Sequence, residues 1–314
     1  MQVVIPLLLK KGHDVLGVDN LMKYGEVDRK RDYEFIKGDL TDVEVADKSV
    51  KGVDGVLQAA ATLYGVGGYN KYPADILAHD VTLHQNVLWS ALKHDVEKVC
   101  FTSSSMVYEA SGKLPSSEDS ANEAIVPQTD YGLSKLIGER LSKAFARQYG
   151  LKYCLWRPFN ILTRYEAVKN DQGVGHVFAD YIQKIIFERQ NPLPIIGDGT
   201  QIRCFGWIEE VAQAIAEFSF DERTDNEVFN LGNSEPVTMK MLANLIYDQA
   251  QKFGMIPLTD KELDFKTIKD YKNDVRVRIP DVSKAKLVLG WEAKVKLKDS
   301  IRMSLEYVKT HVKK

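Results

Sequence analysis

The first half of the chain alternates between short apolar runs and longer stretches of helical character. Residues 14–19 (Asp-Val-Leu-Gly-Val-Asp), 33–37, 55–61, 98–103 and 153–157 are short and mostly apolar, and some close on an acidic or small residue. Runs of this kind read as strands buried in a parallel sheet. Residues 1–11 carry apolar residues along their length and stop at Gly12, as a mostly buried helix with a glycine cap does. Residues 76–94 and 131–148 are longer helical stretches. Strands alternating with helices at this spacing predict an α/β fold with a doubly wound parallel sheet. After Asn160 the pattern turns irregular, with Pro192, Pro194, Gly197 and Gly199 marking frequent turns. That portion is expected to form a smaller α/β lobe over the carboxyl ends of the strands, where ligands bind in such sheets. The implied division is 1–160 for the sheet domain and 161–314 for the lobe, the second partly interleaved with the first. Residues 254–273 are lysine-rich and weakly patterned, which predicts a surface loop with a short helix.

Composition narrows the class. A chain of 314 residues has room for two domains, and 44% hydrophobic with 27% charged residues is ordinary for a soluble globular protein. A net charge of −2, with no basic block beyond Lys313-Lys314, excludes a nucleic-acid or membrane-surface binder. The apolar run 3–9 contains Pro6, is too short to span a bilayer and lacks the flanks of a signal peptide. Cys100, Cys154 and Cys204 are odd in number and show no C-x-x-C spacing, so they are expected as buried thiols in a reducing cytoplasm. The histidines are scattered, and no metal site is expected.

The candidate chemistry centres on Tyr131-Gly-Leu-Ser-Lys135, preceded by Ser103-Ser104-Ser105 at a strand end. A tyrosine and a lysine one helical turn apart place an ammonium beside a phenol. The cation favours the phenolate, so the tyrosine can act as a base near neutral pH. Taken alone, the same pair is also what a solvated helix face carries. Asp19 closes the second strand of the pattern, where an acid contacts the adenosine ribose of a dinucleotide. The matching first strand and glycine-rich turn are not in the sequence, and Met1 falls about where the last glycine would lie. Losing a central strand exposes two unpaired edges and removes the backbone donors that hold a pyrophosphate. Two explanations remain: translation was assigned to an internal methionine, or the protein is a natural remnant without a phosphate cradle. The intact downstream chemistry favours the first.

In sequence order, Asp19-Asn20, Gly38-Asp39-Leu40, Ala59-Ala60-Ala61, Thr102 to Tyr108, Tyr131 to Lys135, Arg157-Pro-Phe-Asn160, Gly197 to Arg203, Pro280 to Lys286 and Leu289-Gly-Trp291 follow one another. With these, nearly the whole chain resembles the extended short-chain dehydrogenase/reductase family, specifically its NAD-dependent nucleotide-sugar epimerases and dehydratases. The resemblance implies a Rossmann-type sheet, here lacking its first strand, and NAD as cofactor. It implies Tyr131 as the base, Lys135 as the group that tunes it and holds the nicotinamide ribose, and Ser104 as the hydroxyl that binds the same sugar oxygen. Ser103 and Ser105 are expected to satisfy backbone groups. Asp19, Asn20, Asp39, Leu40, Ala60, Ala61, Tyr131, Lys135 and Pro158 are implied at the cofactor. Asn160, His176, Val177, Arg203 and Arg278 are implied at the nucleotide sugar, where an arginine fork grips phosphate oxygens. Arg276 is an equally basic alternative to Arg278. The charge of Asp19 argues against the extra phosphate of NADP.

Within that resemblance, Ser105-Met106 selects the reaction. Dehydratases carry an acidic pair there, decarboxylases a glutamate at the second position and GDP-mannose 3,5-epimerases a cysteine, whereas a thioether moves no proton. A UDP-sugar 4-epimerase, oxidising and re-reducing C4, is the main expectation. The glycine-rich stretch 61–69 is closer to the 3,5-epimerases, a 4-ketosugar reductase is a further alternative, and a non-catalytic remnant is the rival of another class. Departures from the family pattern are Leu162-Thr-Arg-Tyr165, Asp80 in the place of an asparagine, and Glu209-Glu210 in the place of paired aspartates. Helices 76–94 and 132–148 carry Leu83, Val87, Leu133, Ile137 and Leu141 at helical spacing, and the resemblance implies a homodimer through these helices.

Overall fold

The structure, a computed structural model, describes residues 1–23, 25, 31–62, 66–121, 126–166, 175–269 and 275–311. It opens with α1 (Val4–Lys10), β1 (Leu16–Asp19), β2 (Glu34–Lys37), α2 (Val43–Val50) and β3 (Gly55–Gln58). Then come α3 (Val66–Lys71), α4 (Pro73–Lys93), β4 (Lys98–Thr102), α5 (Asp130–Tyr149) and β5 (Lys152–Pro158). Local chemistry sets these boundaries. The Asp42 carboxylate caps α2 by accepting from Glu44 N, Thr129 caps α5 by accepting from Gly132 N, and Gly150 ends α5 at a left-handed φ of 77°. The second half holds β6 (Ile161–Leu162), α6 (Val177–Ile182), β7 (Leu193–Ile196), β8 (Ile202–Cys204), β9 (Gly206–Trp207) and α7 (Ile208–Phe218). It closes with β10 (Glu227–Leu231), β11 (Pro236–Thr238), α8 (Met239–Lys252), β12 (Phe265–Ile268) and α9 (Leu297–His311).

The parallel sheet comes in two separately bonded parts. One runs in the order β10-β5-β4-β3, and the other is the pair β1-β2. Among the described residues β1 is bonded to β2 alone and β3 to β4 alone, and both strands line the same cleft. The parallel strands are those of a doubly wound sheet, in two bonded parts among the described residues. β10 comes from the second half of the chain yet pairs with β5, Glu227 opposite Cys154. Val4 and Leu8 of α1 pack with Val211, Ile215 and Phe218 of α7 and with Trp156 and Phe229, which joins the two halves in one core. Each such side chain contributes about 1.5–3 kcal/mol by leaving water.

The second lobe has its own core, built from Leu193, Ile195, Trp207, Leu242, Ile246, Ile301 and Leu305. One expectation fails here. Where residues 254–273 suggested a loop with a short helix, Phe265–Ile268 is a strand running parallel to Leu193–Ile196. Its lysine and threonine stay exposed while Phe265 packs on the core, so the strand leaves only a faint apolar pattern. Residues 270–274 lie outside the described residues. No helix among the described residues is long and apolar enough to cross a membrane.

Candidate active site

The start of α5 is pressed against the turn that follows β4. A Cβ on Gly132 would come within 2.8 Å of the Met106 carbonyl oxygen, so the close approach requires glycine there. From the other side, the Glu109 carboxylate accepts from Thr129 N at 2.8 Å and thereby fixes the helix entry. Ser104 caps the turn through its Oγ, which accepts from Met106 N at 3.2 Å. These contacts bring the Ser104 and Tyr131 hydroxyls together. Lys135, one turn further on, donates from Nζ to Thr102 O at 3.0 Å, and Nζ lies 5.7 Å from the Tyr131 ring centre.

The electrostatics differ from the simple expectation for a Tyr/Lys pair. Burial raises the Tyr131 phenol well above its ordinary value, Asp80 adds to this, and Ser104 and Arg278 pull the other way. The sequence points to a phenol lowered by Lys135; the lowering influences on Tyr131 are instead Ser104 and Arg278, and burial among Ile76, Met106 and the Tyr69 ring outweighs them. Tyr69 stacks on Tyr131 with ring centres 4.9 Å apart and planes 5° from parallel. Lys135 is 2% exposed; burial lowers it to about 8, and Asp80 and Glu139 oppose the drop.

Every residue implied at cofactor or substrate lines one cleft of about 2560 Å³. At one end Asp19 Oδ1 accepts from Leu21 N at 2.7 Å, and Asp39 accepts from Asn20 Nδ2 at 2.9 Å and from Thr41 N and Oγ1 at 2.9 and 2.8 Å. Burial works to raise the Asp39 carboxyl, but bonds from Thr41, Asn20 and His79 more than offset it, and Asp39 stays a carboxylate. Leu40, Ala60 and Ala61 continue the wall toward Pro158 and Lys135. The donor set fits the two ends of a dinucleotide. Lys135 is a buried ammonium with three N–H bonds and the Thr102 carbonyl as its protein acceptor, which leaves donors for ribose hydroxyls in the cleft.

At the other end stand Asn160, whose Nδ2 donates to Cys204 O at 3.2 Å, and Arg203, whose Nη1 donates to Ile202 O at 2.9 Å. His176 bonds the Glu166 carboxylate through Nδ1 at 2.8 Å, and Val177 begins α6. Arg278 lines the cleft and lowers both the Tyr69 and Tyr131 phenols, whereas Arg276 holds Asp198 at 3.1 Å and Thr200 Oγ1 at 2.6 Å. In the divergent segment 162–165, Arg164 pairs with Glu209 and lies 5.1 Å from the Trp207 ring centre, so it builds the wall of the second lobe.

The sequence reading also missed a buried support beneath the site. Arg157 Nε and Nη2 donate to the two Glu139 oxygens at 2.8 and 2.6 Å, with each side chain 1% exposed. Arg157 Nη1 donates to Tyr108 Oη at 2.7 Å, Tyr108 donates to Asn230 Oδ1 at 2.7 Å, and Ser103 Oγ donates to Glu139 at 2.6 Å. The network ties β5, α5, β10 and the serine run into one rigid piece. The residues are visible in the sequence, but their pairing across distant segments is not.

A strand-end serine beside a Tyr–Lys helix, at the carboxyl edge of a doubly wound parallel sheet, defines a nicotinamide-dependent enzyme of the short-chain dehydrogenase/reductase type. The chain belongs to the NAD dependent epimerase/dehydratase family, which matches residues 2–232. It is 28% identical over 313 residues to a putative UDP-glucose 4-epimerase of Methanocaldococcus jannaschii, covering 98% of this chain and 94% of that one. It is 26% identical to GDP-mannose 3,5-epimerase 1 of Oryza sativa subsp. japonica over 98% of this chain and 78% of that one. Among solved structures, the UDP-glucose 4-epimerase of Thermotoga maritima with UDP-glucose superposes with a TM-score of 0.83 at 27% identity, covering 99% and 95% of the two chains.

Proposed function

We propose that this protein inverts C4 of a UDP-sugar, as an NAD-dependent epimerase. The observation that carries the reading is the meeting of Ser104, Tyr131 and Lys135 on the cleft wall with Met106 beside them, where a dehydratase would need an acid or base. NAD, when bound, accepts and returns the hydride at C4. Tyr131 takes the proton of the C4 hydroxyl and gives it back, and Ser104 hydrogen-bonds the same oxygen. Lys135 offers its free donors to the ribose, while Arg203 and Arg278 offer forks for the diphosphate. The test is a panel of UDP-, GDP-, dTDP- and CDP-sugars with added NAD, read by chromatography. The expected result is interconversion of a UDP-sugar and its C4 epimer without net consumption of nicotinamide. A dehydrated 4-keto product would overturn the argument from Met106. Turnover of GDP-mannose alone would favour the 3,5-epimerase reading, which the resemblance in 61–69 supports; residues 63–65 of that stretch lie outside the described residues. Failure to bind added NAD would leave a scaffold without catalysis.

We also infer a cytoplasmic homodimer joined through α4 and α5. Cys100, Cys154 and Cys204 are free and buried, which suits a reducing compartment. Leu83 and Val87, expected at the interface, are 1% and 2% exposed inside the protomer and are withdrawn from it. In their place Trp89 and Tyr149, 52% and 43% exposed, cluster on Phe145 beside the half-buried Leu141. An exposed aromatic cluster on neighbouring helices suits a two-fold contact. Trp89→Glu is expected to convert a dimer to a monomer in sedimentation velocity; an unchanged sedimentation coefficient would place the interface elsewhere.

A further inference from the structure

Asp80 of α4 has no exposed surface, and it is anchored on all sides. One carboxylate oxygen accepts from Thr62 N at 2.8 Å, and the other accepts from Ser134 Oγ at 3.3 Å. The His79 ring lies 3.4 Å away and reaches Asp39 at 3.3 Å through its other nitrogen. Ser134 sits between Tyr131 and Lys135 on α5, and its Oγ also bonds the Tyr131 carbonyl at 2.9 Å. Asp80 therefore touches the catalytic helix at the residue between the phenol and the ammonium.

The other charges around the pair are largely spoken for. Glu139 is gripped by Arg157 and Ser103, and Asp39 by Asn20, Thr41 and His79. His84, on the next turn of α4, is buried and driven to about 3, so it stays neutral. Glu109 holds Thr129, and Arg278 acts on the tyrosines from the second lobe. Asp80 has neutral donors in Thr62 and Ser134 and shares with Asp39 the His79 imidazole, which it raises; among the described residues no lysine or arginine pairs with it. Beyond His79 its field acts on Lys135, and both groups are buried from screening water.

We propose that Asp80 is a positioning residue of the catalytic pair, whose buried charge, rather than its shape, keeps Lys135 an ammonium where the enzyme works. The inference rests on the epimerase reading of Ser104, Tyr131 and Lys135. In support, Asp80 leads the influences that oppose the burial of Lys135, and it follows burial among those that raise Tyr131. Without that charge both groups lose their protons at lower pH. Lys135 is then a neutral amine in a range where Asp80 would have kept it charged. Both the donors for the ribose and the electrostatic help to Tyr131 weaken from the alkaline side.

Asp80→Asn keeps an oxygen for Thr62 N and removes the charge. The measurement is the NMR titration of the Lys135 ε-carbon in ¹³C-lysine protein, assigned with Lys135→Arg, beside the pH profile of kcat/KM. In Asp80→Asn the Lys135 midpoint is expected to fall by about one pH unit, a tenfold loss of ammonium on the alkaline side. The alkaline limb of kcat/KM should move with it, while Asp80→Glu holds both in place. A folded Asp80→Asn protein with an unmoved midpoint, or with activity lowered equally at every pH, overturns the proposal. If Asp80→Asn does not fold, Asp80→Ser removes the charge at smaller volume and is read the same way. The titration needs no turnover, so the two readings fail separately. A shifted midpoint in a protein that epimerises nothing would reject the epimerase and keep Asp80's role.

Discussion

Tyr131→Phe is expected to lower kcat by about 10³-fold while leaving the fold and the NAD content of the protein unchanged. The substitution removes one oxygen from an otherwise intact setting. The ring can still stack on Tyr69, whose centre is 4.9 Å away, and still fill the space between Ile76 and Met106. Lys135 still donates to the Thr102 carbonyl. The lost atom is the one Ser104 bonds and the one that exchanges a proton with the sugar hydroxyl. Burial raises the phenol, and among the described residues Ser104 Oγ bonds Tyr131 and Met106 N, the second of which is no base. Rates measured with saturating NAD and a UDP-sugar, with melting temperature as the control, decide the matter. A variant within about fivefold of the parent would remove Tyr131 from the proton transfer.

The second large effect concerns stability. Glu139→Leu is expected to destabilise the protein by about 3–5 kcal/mol in urea titrations, because it strands the Arg157 guanidinium without its partner. Ser103 loses its acceptor at the same time, which loosens the strand end that carries Ser104. The double variant Glu139→Leu, Arg157→Met replaces the pair by apolar volume and should recover most of the loss. If the double variant is less stable than Glu139→Leu alone, Arg157 is held chiefly by Tyr108 and the Glu118 carbonyl, and the ion pair is secondary.

What the sequence revealed followed from pattern, and what it hid followed from pairing at a distance. The strands of the first half were legible because buried parallel strands are short apolar runs whatever their neighbours. β12 was not, since only Phe265 of Phe265–Ile268 packs on the core. α3 was obscured by Gly67-Gly68, poor helix formers whose place is set by tertiary contacts. Tyr69, carried on that helix, therefore gave no sign that it would lie flat on Tyr131. Glu139 reads as an ordinary helix-surface charge beside Arg140 until Arg157 is brought to it by the pairing of β4 and β5. Asp80 was visible as a departure from the family pattern, but only its burial and its contact with Ser134 give the departure a consequence. Arg276 and Arg278 were indistinguishable by type, and only the fold shows the first bonded to Asp198 and Thr200 and the second lining the cleft.

The division of the parallel sheet bears on how the protein responds to its ligand. Asp19, Asn20 and Asp39 ride on the β1–β2 pair, while Ser104, Lys135 and Pro158 ride on the four-stranded part. Among the described residues β1 bonds β2 and β3 bonds β4, and α2, which follows β2, packs against α4. A molecule long enough to touch Asp39 and Lys135 at once acts as a strut between them. What it gains on binding adds to the stability of the folded protein. A substitution that loosens the β1–β2 pair is therefore expected to weaken binding without touching any atom of the ligand.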